Sequence, residues 1–582
     1  TGRLVVSKRR SFWFLIGLCL ALLWGCVAGD GNVNSFDSAG RYLQEKLLPK
    51  ISVATSLIPD EVAVRYAIDG IQEPLPPIEQ FPLYAAQPSN NPRVVYLEIF
   101  SSSEKANIKK QNERWLVEVA EAFNKERKTI RSGEVIQVGV RNIPSGTAVR
   151  LLAAGLVQPA GYSPSNDLWV AMLSSQGVKP ISIVPRLVPN VGGFVLQEQV
   201  NRELAADGEV NFERLLDAIA SGKLSVGYPN PYSSSTALNL LYSIFWRAAG
   251  HQQDGQPLTI ADLESPQVKS VFQGFQQQVL ITTTTTLDLQ EIFILDKDKL
   301  QAFPLEYQNY QQLKKVPGFE TTVFIPFGIP HNNPLVGFDW NTARQQEALQ
   351  KFAEFATSPA MKKLAQQQGF VETDYLTSSN LPPIPAGEVL TTAQSFWKRQ
   401  KDAGRTVYLM TVIDTSGSME GKALAEVKEG LRLASKEINP GNYVGLISYS
   451  DRPTEMLPLA PFDEMQHQRF LATIDNLRAD GGTAMYDGMM VALGKLLEQK
   501  KANPNGRFYL LVLTDGQTNQ GFGFKQVKDV LQYSGVRVYP IAYGDVNQEE
   551  LAAIAALRES TVKTGTPENV QELLKGLFQT NL

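Results

Sequence analysis

The chain has 582 residues, of which 43% are hydrophobic and 20% are charged, so its composition is that of a globular protein with core for several domains. Its net charge of −4 argues against nucleic acid as the main partner, and no zinc-finger, RNA-binding or basic-stripe pattern is present. Both cysteines, Cys19 and Cys26, lie near the N-terminus, which excludes a disulfide framework and thiolate metal sites further along. The three histidines are far apart in sequence and lack metal-binding spacing.

The first 25 residues have the pattern of an export signal. A basic segment at residues 3–10 precedes an apolar run at residues 12–23. The following Leu23-Trp24-Gly25-Cys26 resembles the bacterial lipoprotein box, which implies a signal peptide over 1–25 and lipidation of Cys26. The alternative is an uncleaved membrane anchor, although the run is short for a spanning helix. Either way, we expect an exported protein of a bacterial cell envelope, held at a membrane and facing the periplasm or the cell surface.

Residues 26–89 are predicted to be a tether and an N-terminal extension. The segment 29–32 is rich in glycine and polar residues, and residues 42–51 have the pattern of a short helix. Pro74, Pro76 and Pro77 then indicate a non-helical connector.

Residues 90–380 are predicted to form a long α/β module. A strand is expected at 94–100, a helix at 112–124 and a second strand at 135–140, and the pattern continues to about residue 370. Hydroxyl-rich loops recur between these elements. This order resembles the bacterial extracellular solute-binding proteins, which implies two α/β lobes that close over a ligand.

The hydroxyl loops are the candidate ligand-binding residues of this module: Ser102, Ser103, Ser145, Thr147, Ser234, Ser235 and Thr236. Serine and threonine at a helix N-terminus offer O–H donors beside free backbone N–H groups, and the helix dipole adds positive potential. Such loops could hold a small anion or a carboxylate without a basic side chain. The alternative is that each loop only caps its helix.

Residues 381–404 are predicted to be a linker, because prolines and a glycine at 381–387 mark a boundary and a short helix at 393–401 follows.

The last part, residues 405–582, begins with the apolar run 407–413, which predicts a buried parallel strand. The sequence Asp414-Thr415-Ser416-Gly417-Ser418 follows it and places three oxygen ligands in one turn. A glycine-bearing loop at 480–484 and a second buried strand, 508–514, ending at Asp515 follow. Ligand sites of open α/β sheets lie at the carboxyl ends of such strands. Alternating strands and helices predict a doubly wound, mostly parallel sheet.

In this order the three pieces resemble the von Willebrand factor type A (VWA) domain and its metal-ion-dependent adhesion site. The resemblance implies Ser416, Ser418 and Thr483 as neutral ligands and Asp414 and Asp515 as carboxylates, one or both acting through water. Hard oxygen ligands suit Mg²⁺, with Ca²⁺ or Mn²⁺ as alternatives. A cation so ligated would accept an acidic residue of a partner protein. The alternative is a turn that only caps the next helix.

Three functions are compatible with this organisation. The first is a membrane-tethered binding protein that grips an acidic residue of a partner protein through the metal, with the solute-binding-like module, placed between the anchor and the VWA domain, sensing a ligand or making a second interaction. The second is the solute receptor of an ABC-type transport system with an accessory VWA domain. The third is an enzyme, but no nucleophile elbow, zinc-protease motif, P-loop or paired-carboxylate signature is present, so we expect a non-enzyme.

Overall fold

The computed structural model describes residues 33–582 except 70, 72–74, 207, 371–380, 545 and 559. The predicted signal peptide and Cys26 therefore lie outside the described residues. Within these residues the strands form three sheets, two in the solute-binding-like module and one in the C-terminal domain. No helix in this part of the chain has both the length and the apolar character needed to cross a bilayer.

The first sheet has six strands with a parallel centre and antiparallel edges. Its strands in spatial order are Leu83–Tyr84, Val135–Asn142, Val94–Ser101, Gly161–Ser163, Leu335–Phe338 and Pro180–Val184. The chain leaves this sheet after Val184 and returns to it at Leu335. The sheet is therefore the core of one lobe, built from both ends of the module.

The second sheet belongs to the other lobe and has five strands. In spatial order they are Val323–His331, Asn190–Leu196, Ala302–Glu306, Val226–Pro229 and Val279–Thr283. The first two pairings are antiparallel and the last two are parallel. Two lobes joined by two crossings confirm the predicted solute-binding architecture.

Helices cover both lobes and pack through apolar faces onto the sheets. The helices of this module are Ser103–Ala106, Trp115–Glu126, Ser145–Ala153, Asp167–Ser175, Glu198–Ala205, Phe212–Ala220, Ser235–Ala248, Ile260–Glu264, Pro266–Gln277, Thr286–Leu295, Tyr307–Leu313, Ala343–Ala356, Pro359–Gln367 and Gly387–Gln400.

The third sheet, in the C-terminal domain, has seven strands and confirms the doubly wound prediction. In spatial order they are Ala54–Thr55, Pro453–Pro461, Tyr443–Tyr449, Val407–Asp414, Arg507–Thr514, Arg537–Tyr543 and Lys563–Gly565. Only the pairing of Pro453–Pro461 with Tyr443–Tyr449 is antiparallel. Its helices are Lys422–Ala434, Glu464–Asn476, Met485–Ala502, Phe524–Tyr533, Gln548–Ala556 and Val570–Asn581.

The first described part of the predicted tether packs against the C-terminal domain, whereas Leu83–Tyr84 joins the first sheet of the solute-binding-like module. That first part, 33–69, is called the N-terminal strap below. Its helix Phe36–Tyr42 contacts the helix Phe524–Tyr533, and Leu43 and Leu47 are buried in the core of the domain. Asp60 further on accepts two hydrogen bonds from Arg469, of 2.9 and 3.0 Å. Because the strap also adds the strand Ala54–Thr55 to the sheet, the C-terminal domain is completed by the start of the chain.

The predicted linker is also packed structure. Its helix Gly387–Gln400 buries Leu390 and Trp397 in the core of the solute-binding-like module. The indole Nε1 of Trp397 donates to the hydroxyl of Tyr228 over 2.6 Å. Apolar burial therefore makes this helix part of the module rather than a spacer.

The two modules touch directly. The helix Val570–Asn581 lies against the strand Val279–Thr283, and the buried Asn230 amide donates to Gln579 Oε1 over 2.8 Å. This strand ends within a run of five threonines, 282–286, and Thr285 of that run caps the next helix, Thr286–Leu295, through a capping box with Asp288.

Candidate metal centre and solute cleft

Asp414 ends the central strand of the C-terminal domain and is fully buried. Its Oδ1 accepts the amide N–H of Ser416 over 2.9 Å. Its Oδ2 lies 3.1 Å from the hydroxyls of both Tyr449 and Thr514 and 3.4 Å from the amide of Asp515. Since a carboxylate oxygen has two lone pairs, Oδ2 is fully used and Oδ1 keeps one free. Asp414 is thus suited to orient the site, directly through Oδ1 or through water.

Three further oxygens form a row beside Asp414. Ser416 Oγ lies 3.1 Å from Ser418 Oγ, which lies 2.8 Å from Asp515 Oδ1. Neighbouring ligands of an octahedral Mg²⁺ with ligand distances near 2.1 Å are about 3.0 Å apart. The spacing therefore fits one metal ion of this kind.

The Thr483 loop packs against the same turn. The Gly417 amide donates to the Gly481 carbonyl over 3.0 Å, and the Asp480 amide donates to the Thr415 carbonyl over 2.9 Å. Thr483 is buried, and its hydroxyl has no hydrogen-bond partner among the residues that the structure describes. It is therefore available as the third neutral ligand that the sequence predicts.

Asp451 is a site residue that the sequence analysis missed. Its Oδ1 accepts the Gly482 amide and the Gln520 side-chain amide, each over 2.7 Å. Gly481 has φ +78°, and a Cβ there would lie 2.9 Å from the Asp451 carboxyl, so this position requires glycine. No sequence motif indicates Asp451 as a site residue. Tyr449 was missed too, although it pairs in register with Asp414 and the strand-end rule could have found it.

The two carboxylates of this edge make it suited to a cation. Burial raises the pKa of Asp515, and the neighbouring Asp414 carboxylate raises it further. Burial and the same carboxylate raise the pKa of Tyr449. In the described chain no cluster of three or more His, Cys, Asp or Glu side chains suits a metal, so the candidate set combines two carboxylates with hydroxyl oxygens. Such hard, weakly charged ligands match Mg²⁺.

The solute-binding-like module has a cavity of about 220 Å³ lined from both lobes. Six of the seven predicted hydroxyl residues line it, namely Ser102, Ser103, Ser145, Ser234, Ser235 and Thr236. Thr147 does not, and instead lines a separate cavity beside the helix Val570–Asn581. The structure thus brings most of the predicted cleft together.

Several of these hydroxyls also have structural partners. Ser234 caps the helix Ser235–Ala248, and Ser235 accepts the indole N–H of Trp169 over 2.8 Å. Ser103 donates to Asn142 Oδ1 over 2.8 Å. Ser145 Oγ is buried with no partner in the described chain. Capping and cleft lining therefore coexist in these loops.

The cleft is acidic. Glu104, Glu113 and Glu306 line it, and no Lys, Arg or His among the described lining residues does. Glu306 is 6% exposed; its Oε1 lies 2.6 Å from His331 Nδ1, while its Oε2 has no partner in the described chain. Beneath the wall, the buried Lys105 lies 3.5 Å from Glu104. The hydroxyl loops alone suggest an anion, whereas this lining adds three carboxylates whose nearest basic groups, Lys105, Lys110 and His331, lie within 4 Å of them.

Together, these features define a two-module binding chain: a two-lobed module with a cleft and a doubly wound domain with a candidate metal centre at its strand ends. The chain carries a domain of the family described as "Bacterial extracellular solute-binding protein", matched over residues 110–371, followed by a von Willebrand factor type A domain, matched over residues 409–575. A solute-binding domain of this extracellular kind indicates an exported protein.

The chain matches only part of the length of its curated relatives. It is 34% identical over 117 residues to inter-alpha-trypsin inhibitor heavy chain H4 of Bos taurus, covering 19% of this chain and 12% of the relative. It is 26% identical over 179 residues to the uncharacterized protein sll0103 of Synechocystis, covering 29% of this chain and 40% of the relative. Among solved structures, iron-bound HitA of Pseudomonas aeruginosa matches with 14% identity and a TM-score of 0.36, over 53% of this chain and 99% of that chain.

Proposed function

We propose that this protein is a non-enzymatic binding protein whose VWA domain holds Mg²⁺ and binds an acidic residue of a partner protein. Ser416, Ser418 and Thr483 would supply neutral ligands, and Asp414 and Asp515 would supply the carboxylates. The observation that supports this most strongly is the row of oxygens at 3.1 and 2.8 Å beside a buried carboxylate. VWA domains commonly bind a metal ion at such a site.

A partner carboxylate is the expected ligand because a cation held mostly by neutral ligands, with at least one of the two carboxylates acting through water, stays electrophilic. Asp414 is already engaged by four donors, so at most two carboxylates balance a dication, and not both directly. Gly417, Ser418 and Gly481 are exposed, so the site is open to solvent on one side. An incoming Asp or Glu could reach the metal from there.

The test compares proteins captured from native membrane extract by the wild-type chain with Mg²⁺, the wild-type chain with chelator, and Asp414→Asn with Mg²⁺. Asp529→Asn is the matched control, because it removes an exposed carboxylate of the same domain. Partners retained only by the wild type and the control with Mg²⁺ support the proposal. An identical set of partners in all four samples would refute it.

A second function, reception of a small solute for an ABC-type transport system, is favoured by the unpartnered Glu306 Oε2 and Ser145 Oγ in the cleft wall. Buried polar atoms without partners cost free energy, which a ligand would recover. With three carboxylates in the wall, we propose a solute that carries an amine or another cationic group.

Ser145→Ala tests the cleft, because it removes a hydroxyl that makes no hydrogen bond within the described chain and should leave the fold intact. Calorimetry with 1,4-diaminobutane and with sulfate should show binding of the diamine alone, weakened in the variant. Binding of sulfate alone would contradict the proposed solute class.

We also propose that Cys26 is lipidated and anchors the exported protein in the cell envelope. Its sequence context supports this. Mass spectrometry of the mature protein should show an acylated N-terminal cysteine, and a Cys26→Ser variant should lack the lipid. A mature wild-type protein that retains residues 1–25 would refute the proposal.

A further inference from the structure

The wall that the second lobe contributes to the cleft also faces the VWA domain, where the second lobe is the one built on the five-stranded sheet. Ser233, Thr284 and Thr285 line the cleft, and the same three residues line the cavity of about 290 Å³ whose other side comes from the C-terminal helix of the VWA domain. They belong to two segments, 230–236 and 283–288, which are called the first and the second cleft loop below. A single layer of chain therefore separates the cleft from the VWA domain.

The two cleft loops are joined to each other by hydrogen bonds. The Asn230 amide donates to the Thr283 carbonyl over 2.8 Å. The Ser233 hydroxyl donates to the Thr284 carbonyl over 3.3 Å. Because these bonds connect the loops at two places, a displacement of one loop is passed to the other. The two loops therefore respond together to a contact on either of them.

The first cleft loop is shaped by Asn230, whose side chain is held by the VWA domain. The Asn230 carbonyl accepts the amides of Ser233 and Ser234 over 3.2 and 2.9 Å. Its Oδ1 accepts the amide of Tyr232 over 2.9 Å, and its Nδ2 donates to Gln579 Oε1 over 2.8 Å. Asn230 and Gln579 are both buried, so water does not replace this bond. Gln579 therefore fixes the side chain that shapes the loop.

The second cleft loop is held by Asp288, which also has partners in the VWA domain. Asp288 Oδ2 accepts the Thr284 hydroxyl over 3.0 Å and the Thr285 amide over 3.1 Å. The ammonium of Lys563 forms an ion pair with the same oxygen, and the Thr561 hydroxyl donates to Oδ1 over 3.4 Å. The side chains of Lys563 and Asp288 are largely buried, unlike those of a surface ion pair. Lys563 therefore fixes the carboxylate that holds this loop.

Further contacts attach the VWA domain to the strand that leads into the second cleft loop. Arg507 donates to the Val279 carbonyl over 3.1 Å. Arg537 donates to the Leu280 carbonyl over 3.2 Å. Both carbonyls belong to the strand Val279–Thr283. The VWA domain and the second lobe are therefore joined behind the cleft loops, and the two contacts described above extend this junction to the loops themselves.

The hydroxyl groups of the cleft lie on the parts of the loops that these contacts hold. Ser234, Ser235 and Thr236 of the first loop and Thr285 and Thr286 of the second loop line the cleft. A binding group is only as well placed as the groups that support it from behind. In metal sites, for example, substitution of such supporting groups typically weakens affinity by about 10- to 100-fold. Loss of a VWA contact should therefore weaken solute binding although no group that lines the cleft is removed.

We propose that the VWA domain sets the affinity of the solute cleft, with Gln579 and Lys563 as positioning residues that act through Asn230 and Asp288. This inference rests on the proposed binding of a solute in the cleft and assigns the regulation of that site. Neither Gln579 nor Lys563 lines the cleft, so each acts through a loop and not on the solute. The two modules are then coupled, and undocking of the VWA domain would release the solute more easily.

The first test is calorimetric titration of 1,4-diaminobutane into the whole chain and into two variants. Gln579→Leu keeps the approximate size of the side chain but removes the oxygen that accepts the Asn230 amide. Lys563→Met removes the ammonium beside Asp288. We expect each variant to bind the diamine about tenfold more weakly than the wild type. Wild-type affinity in both variants would overturn the proposal.

Two control variants remove similar side chains that do not contact the cleft loops. Gln571→Leu changes the same helix as Gln579, but the Gln571 amide donates to Glu426 within the VWA domain over 2.8 Å. Lys528→Met removes an exposed cation of the same domain. Both controls should bind the diamine like the wild type, and urea unfolding should show that all four variants are folded. A tenfold loss in the controls as well would refute the assignment of Gln579 and Lys563.

Hydrogen exchange without any solute tests the positioning separately from the solute class. Gln579→Leu should speed amide exchange in residues 232–234, because Asn230, which accepts these amides, loses its VWA partner. The helix Trp115–Glu126 of the other lobe should exchange at the wild-type rate. If the diamine does not bind the wild type, the proposed solute class fails, and this exchange alone then decides the positioning. Unchanged exchange in residues 232–234 would refute it.

The coupling should also be measurable from the VWA side, because coupling between two sites acts in both directions. Saturating diamine should slow amide exchange in the helix Val570–Asn581 of the wild type, although this helix does not line the cleft. In Gln579→Leu the same addition should slow exchange less. An equal rate in the wild type with and without bound diamine would show that the solute and the VWA domain are not coupled.

Discussion

The two ends of the VWA sheet are opposite in charge although the same strands connect them. At the carboxyl end, Asp414 and Asp515 lie among hydroxyl groups and suit a cation. At the amino end, Arg507 and Arg537 begin two adjacent strands and line a cavity that residues of the other module close. Most residues at the carboxyl end belong to short sequence motifs. The cavity at the amino end, by contrast, forms only where the other module packs against the VWA domain.

The largest effect is expected from Asp414→Asn at the acidic end. The buried carboxylate accepts four hydrogen bonds, and an amide cannot accept them all or balance a cation. We expect Mg²⁺ affinity to fall by about 100-fold or more, or roughly 2.7 kcal/mol, measured by calorimetry. Asp529→Asn is the control, and urea unfolding checks the fold. Unchanged affinity in Asp414→Asn would show that this end is not the metal centre.

A smaller effect is expected from Asp451→Asn at the same end. This carboxylate holds the Thr483 loop through Gly482 and Gln520 rather than contacting the row of site oxygens. We expect about tenfold weaker Mg²⁺ binding, in the range of outer-shell substitutions. A loss as large as that of Asp414→Asn would instead make Asp451 a direct ligand.

A substitution at the amino end of the sheet should lower the stability of the fold but leave metal binding unchanged. Arg507→Met removes the hydrogen bond to the Val279 carbonyl, so the free energy of unfolding should fall by about 1–3 kcal/mol. Mg²⁺ affinity should change by less than about twofold, since distant sites are nearly independent. Lys528→Met is the matched control. A tenfold change in Mg²⁺ affinity would mean that the two ends are coupled through the strands.

The last effect is a pH dependence of the folding stability, which should arise from His467 independently of the two ends of the sheet. Burial and Lys436 lower the pKa of His467 to about 4, against about 6.5 in an unfolded chain. The stability that neutral His467 contributes is complete above pH 6.5 and is lost as pH falls toward 4. The urea midpoint of the wild type should therefore drop more between pH 7 and pH 5 than that of His467→Gln. An equal drop would assign the acid sensitivity to other groups.

The sequence predicts most reliably what is local. The VWA motif and the strand before it lie within twelve residues, and the predicted fold class is confirmed. The ligand assignment stays a prediction, although the structure brings Ser416, Ser418 and Asp515 into one row. Tyr449 and Asp451 could not be assigned from a motif, because they join the site only after neighbouring elements pack.

Long-range packing accounts for the rest. The cleft hydroxyls are visible in sequence, but Glu306 enters the cleft from a strand far along the chain and changes its charge. The predicted tether and linker are polar or proline-rich at their ends, which conceals the buried Leu43 and Trp397 between them. The basic cavity between the modules combines segments that are spread over more than 300 residues of the chain, from Ser225 to Arg558, so no local pattern indicates it.

The N-terminal strap reverses the arrangement that the order of modules along the chain suggests. Six residues separate Cys26 from Val33, which packs on the VWA domain, and the seven Cα–Cα steps between these two residues can span at most about 25 Å. If Cys26 carries a lipid, the VWA domain would stand next to the bilayer and the solute-binding module would project beyond it. A partner protein bound at the metal would then lie close to the membrane surface.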